Sequence, residues 1–151
     1  MRRRMSPIIA VAALVVALTG CGSEPETEIT VEALTMTVGE CVWDEAITSD
    51  TTTEIGERET VECSEPHHGE VYYTEDVAGS VIPDNLASTA TDACVENFEP
   101  YVGIAHTESK YAVSLVYPSA TTWEAGDRQI ACLLIAGPDE ELTSSAKGSA
   151  E

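Results

Sequence analysis

The sequence predicts a small α+β domain, an antiparallel sheet with one principal helix and two disulfides. Three observations carry that expectation. Strand-length runs, alternating or wholly apolar, recur between residues 37 and 136, and one longer stretch among them shows helical spacing. Four cysteines are spread through the same region. All eight aromatic residues fall between Trp43 and Trp123, which brackets the folded core.

Met1-Arg2-Arg3-Arg4-Met5 is a basic head, followed from Ile8 to Leu18 by eleven apolar residues without a charge. As a helix these rise only about 16 Å, roughly half a hydrocarbon core, so residues 1–20 read as a secretory signal rather than a permanent span. Leu18-Thr19-Gly20-Cys21 resembles the bacterial lipobox. The resemblance implies that the Cys21 thiol takes a diacylglyceryl group and that cleavage leaves Cys21 as the mature N-terminus. The expected location is the extracytoplasmic side of the cell membrane, with lipid contacted through acylated Cys21. Residues 21–35 then form an acidic tether, with Glu24, Glu26, Glu28, Glu32 and Pro25 and little that could pack. Self-repelling charge favours extension to as much as about 45 Å.

The 7 cations face 27 acids, a net charge of −20, and 43% of the residues are hydrophobic. Without residues 1–20 only Arg58, Lys110, Arg128 and Lys147 remain against all 27 acids, leaving −23. That excludes a nucleic-acid binder, which needs a basic face to displace counterions. The patterned apolar content excludes a disordered chain. Anionic headgroups would repel such a body, which makes a durable acyl anchor physically sensible.

Along the body, Thr37 to Trp43 reads as a short strand with Gly39 at a turn near its start. Asp44 to Glu59 is polar and reads as an exposed loop or irregular hairpin. Thr60 to Cys63 alternates as a half-buried strand does, and Ser64 to Gly69 interrupts it. Glu70 to Val77 is β-rich. Pro83-Asp84-Asn85 opens a helix, with Asp84 or Asn85 as N-cap. Leu86, Ala90, Cys94 and Phe98 keep helical spacing through Pro100, and Tyr101-Val102-Gly103 ends the element. Tyr111 to Tyr117 is a strand closed by Pro118, and Thr122 to Asp127 a turn. Arg128 to Ala136 is apolar on both faces, the mark of an interior strand. Pro138 to Glu151 reads as a loosely packed polar tail.

With Cys21 assigned to lipid, Cys41, Cys63, Cys94 and Cys132 remain, an even number that reads as two disulfides with three connectivities open. The favoured one is Cys41–Cys63, joining neighbouring strands, and Cys94–Cys132, pinning the helix to a late strand.

Val38-Gly39-Glu40-Cys41-Val42-Trp43 and Val61-Glu62-Cys63-Ser64-Glu65-Pro66-His67, leading to Gly69-Glu70-Val71, resemble the opening of the septum-formation domain of actinobacterial envelope proteins. Ala93-Cys94, Phe98 and Tyr101-Val102-Gly103 are similar to its helix segment. Pro118, Trp123, Gly126-Asp127-Arg128 and Cys132-Leu133 are similar to its second signature, and Leu142 to Ser149 to its ending. The resemblance spans residues 36–149. It implies an association with division septa and brings no catalytic residues with it.

Cys63, Glu65, His67, His68 and Glu70 form the most chemically suggestive cluster. A Cys–His nucleophile would need Cys63 as a free thiolate, which a disulfide partner removes. Adjacent histidines in a strand point to opposite faces, and neither HExxH nor CxxC is present, so no metal is assigned. Pro66 is read as shaping a turn with His67 bonded to backbone across it. Trp123 is read as covering the core and Arg128 as pairing with carboxylates. His67, Trp123 and Arg128 are nonetheless the candidate contacts for a partner, the latter two being favoured interface anchors. Asp44-Glu45, Glu75-Asp76 and Asp139-Glu140-Glu141 lack the spacing of a calcium loop. The expectation is a non-enzymatic lipoprotein without a cofactor, contacting an envelope or division protein. The alternative is an envelope module that binds a ligand or cation.

Overall fold

The computed structural model describes residues 35–44, 47, 58–137 and 140–151; the expected signal, the Cys21 anchor and the tether up to residue 34 lie outside the described residues. The elements run β1 (Cys41–Trp43), β2 (Glu59–Val61), β3 (Gly69–Asp76), α1 (Leu86–Val102), β4 (Ala112–Val116), α2 (Ala120–Glu124) and β5 (Gln129–Ile135). The strands form one sheet in the order β2-β1-β3-β5-β4, with every pairing antiparallel. The fold is therefore the expected α+β class. Disulfides join Cys41 to Cys63 and Cys94 to Cys132, the favoured connectivity.

The position of β5 between β3 and β4 explains why both its faces are apolar. Ile130, Cys132 and Leu134 pack beneath α1 with Leu86, Ala90, Cys94, Phe98 and Val102. Ala131, Leu133 and Ile135 face the other way, onto Met36, Val42, Ile47 and Val71. A bulge in β3 shifts the register between Val71, opposite Leu133, and Tyr73, opposite Cys132. Strict alternation would send Tyr72 and Tyr73 to opposite faces; the extra residue lets both pack on the α1 side.

Helix α1 runs past Pro100 through Tyr101 and Val102, and Gly103 ends it at φ 100°, where the sequence places its end. A proline forfeits one backbone bond in the last turn, but both following residues are buried, and that burial holds them in the helix. Asn85 occupies the N-cap position without side-chain capping. Its Nδ2 donates instead to Thr89 Oγ1 at 3.2 Å.

Residues 122–127 are not merely a turn, because Thr122, Trp123 and Glu124 belong to α2. The Ser119 hydroxyl accepts the Thr122 N–H at 3.1 Å, and the Thr122 hydroxyl accepts the Ser119 N–H at 3.0 Å, a capping box that starts a helix even this short. In the stretch expected to be exposed, Ile47 is buried against the second face. The C-terminal tail is not loose either: Leu142 and Ala146 are buried in the cluster under α1.

Candidate functional site

The densest polar constellation lies where β3, the end of α1 and the tail converge. On β3, Val71 belongs to the second face, so Glu70 is turned toward α1, where it is wholly buried. Its Oε1 accepts the Tyr101 hydroxyl at 2.7 Å and the Ser145 hydroxyl at 2.5 Å. Its Oε2 accepts the Ala146 backbone N–H at 2.7 Å. A buried carboxylate is tolerated only with such partners, and here they come from two other segments of chain. Burial, and then the hydrogen bond to Glu70, pushes the Tyr101 phenol well above its ordinary range.

Backbone bonds extend the lock. His67 N–H donates to Leu142 O at 2.9 Å and Leu142 N–H donates to His67 O at 2.8 Å, a two-bond bridge. Further on, Gly148 N–H donates to Tyr101 O and Ala150 N–H to Val102 O, each at 2.9 Å. These are carbonyls that the end of a helix leaves without an intrahelical partner. The tail therefore closes both the entry to β3 and the end of α1.

His67, a candidate contact from the sequence, is wholly buried, which removes its ring from any partner surface. Its Nδ1 lies 2.8 Å from Glu65 O, so that nitrogen carries the proton and donates it. This is the backbone bond across the Pro66 turn. His68 leaves the core side and stacks on Trp43 with ring centroids 4.3 Å apart. Trp43 is the partly exposed aromatic of this region at 38%. The sequence reading did not single it out, although its position at the end of a three-residue strand beside a polar loop was a signal of exposure.

Trp123 is also buried, covering the core as the sequence reading has it, and its indole N–H donates to Ser80 O at 3.4 Å. Among the described residues no carboxylate pairs with Arg128, contrary to expectation. Its guanidinium lies 3.8 Å from the Trp123 ring centroid and donates to Trp123 O and Asp127 O at 2.8 and 2.6 Å. The Trp123 carbonyl, in the last turn of α2, and the Asp127 carbonyl beyond it supply the negative partial charge that a carboxylate would otherwise bring.

Among the described residues, the one group of three potential metal donors is Cys41, Cys63 and Glu70, with donor atoms within 4.8 Å of one another. Both sulfurs are held in the disulfide, and the carboxylate is held by the tail. The arrangement staples a fold: the sulfurs are bonded to each other, and the carboxylate is bonded to α1 and the tail.

These features define a disulfide-stapled α+β domain whose polar core secures its own C-terminal segment. The septum-formation family matches the chain over residues 38–151, so from β1 to the last residue of the locked tail the chain belongs to that family. No curated protein and no solved structure matches it. No helix among the described residues is long and apolar enough to cross a membrane.

Proposed function

We propose that this protein is an extracytoplasmic, lipid-anchored interaction module that contributes to septum formation by binding an envelope or division protein, without catalysing a reaction. Membership of the septum-formation family is the observation that carries the septal part. The non-enzymatic part is supported by the state of the most reactive side chains. Cys63 is in a disulfide, Glu70 bonds three donors, and the Nδ1 of His67 is bonded to backbone. The two disulfides suit an oxidising compartment outside the cytoplasm. The anchor rests on Arg2 to Arg4, the apolar run to Leu18 and the sequence ending at Cys21.

Cell fractionation of the wild type and of Cys21→Ala tests the anchor. The wild type should sediment with membranes and be digested by protease added to intact spheroplasts, while Cys21→Ala should lose its tight membrane association. Equal membrane retention of the two proteins would contradict lipid anchoring at Cys21.

A further inference from the structure

The two margins of the sheet are built differently. At one margin, β2 has only three residues, includes Glu59 and is flanked by Arg58 and Glu62. A disulfide ties its neighbour β1 to Cys63 just beyond it. Short, charged and stapled, this margin carries the devices by which sheets avoid adding strands. The β4 margin keeps these devices outside the strand: Lys110, paired with Glu151, lies two residues before it and Pro118 two residues after it. Ala112-Val113-Ser114-Leu115-Val116, with Tyr111 before it and Tyr117 after it, contains no charge and no proline. It pairs with β5 through five consecutive positions without a bulge. Among the described residues no strand lies outside it.

In an antiparallel pair alternate residues turn both N–H and C=O toward the neighbouring strand, and the residues between turn theirs away. The outer side of β4 therefore presents backbone donors and acceptors in strand register. Side chains flank that row on both faces. Val113 and Leu115 pack at the rim of the cluster under α1, and Val116 at the rim of the opposite cluster, all of them half-buried. A strand laid beside β4 would cover these rims and complete its own backbone bonds. The charge of the body indicates which strand. Two copies carrying −23 each, counted without residues 1–20, repel one another, whereas a cationic segment is attracted.

We propose that β4 is a docking edge for an extended segment of a partner protein, apolar or β-branched at its centre and flanked by lysine or arginine. The segment adds as a sixth strand beside Ala112–Val116. The proposal rests on the interaction-module reading and identifies the surface and the chemistry that reading requires.

Amide hydrogen exchange on the full chain in detergent tests it. The probe is a synthetic peptide of alternating valine and threonine with lysines at both ends; the control has glutamates at both ends. The lysine peptide should slow exchange at alternate amides of Ala112–Val116 by about tenfold or more, with α1 unchanged. The glutamate peptide should leave β4 unprotected. Ala112→Lys, at an exposed position, should weaken the lysine peptide about tenfold and leave the melting temperature unchanged. Absence of protection at saturating lysine peptide would overturn the proposal, as would equal protection by the glutamate peptide. Protection of β4 without any peptide, together with a doubled mass at raised ionic strength, would assign the edge to a second copy and also overturn it. Failure of the peptide with the protein still enriched at septa removes the edge and leaves the septal reading standing. Protection of β4 with an even cellular distribution does the reverse.

Discussion

Replacing Glu70 tests whether the tail belongs to the fold. In Glu70→Ala the hydroxyl of Tyr101 and the N–H of Ala146 lose their acceptor in buried surroundings, while the exposed Ser145 hydroxyl can turn to water. Each stranded donor costs about 1–3 kcal/mol, and the vacated side-chain volume adds to this, giving about 3–5 kcal/mol in all. Glu70→Gln is milder. Its carbonyl can still accept the Ala146 N–H while its amide donates to the hydroxyl oxygens, so the loss is about 1–2 kcal/mol, the difference between charged and neutral hydrogen bonds. Urea unfolding gives the stabilities. Native-state hydrogen exchange locates the effect, which should concentrate at the amides of Leu142, Ala146, Gly148 and Ala150. Tyrosinate absorbance supplies an independent check, because Glu70→Gln should lower the Tyr101 pKa without returning it to its ordinary value, burial being the larger cause. A Glu70→Ala protein within about 1 kcal/mol of wild type, or one destabilised with no change in tail exchange, would refute the reasoning.

Three further outcomes follow from the same geometry. Removing the Cys94–Cys132 bridge, which spans 38 residues of sequence, should cost about 4 kcal/mol by loop-closure entropy, against about 3 kcal/mol for the 22-residue Cys41–Cys63 span; paired Cys→Ala variants in urea measure both. The Tyr72 phenol is raised by burial and that of Tyr101 by burial and Glu70, both above the ordinary 10.0. Because the folded values are raised, this stability is complete below about pH 10 and falls above it by about 1.4 kcal/mol per pH unit for each tyrosine. Equal urea midpoints at about pH 9 and about pH 11 would contradict it. Finally, a Cβ at Gly69 would meet Ile47 Cδ1 at 2.5 Å and Leu133 Cδ2 at 3.4 Å. Gly69→Ala should cost about 1–3 kcal/mol, and adding Ile47→Val, which removes that Cδ1 atom, should recover part of it in a double-mutant cycle.

Much of the sheet was legible because its signals are local. Apolarity on both faces of residues 130–136 marks an interior strand, and the spacing of Leu86, Ala90, Cys94 and Phe98 marks a helix lying on the sheet. Those placements favoured Cys94–Cys132 among the three open connectivities. The parts that escaped depend on distant partners. Leu142 and Ala146 sit among polar residues and look like a tail until β3 and α1 are placed beside them. The Tyr72 bulge breaks the period on which strand reading relies. At the candidate contacts, an acidic composition favours a carboxylate partner for Arg128, yet the end of α2 and the Trp123 ring lie nearer. His67 is polar in sequence and buried in the fold, where its backbone forms a two-bond bridge with the distant Leu142.

The central claim, an interaction module working at the division septum, is tested most directly by live imaging of a fluorescent fusion. It should be joined through a flexible linker after Glu151, because Glu151 Oε2 holds Lys110 Nζ at 2.8 Å and the junction must leave that pair intact. The account predicts enrichment of the full protein at nascent septa and loss of that enrichment in Cys21→Ala. A signal spread evenly around the periphery through division, or one at septa that is indifferent to Cys21→Ala, would contradict it.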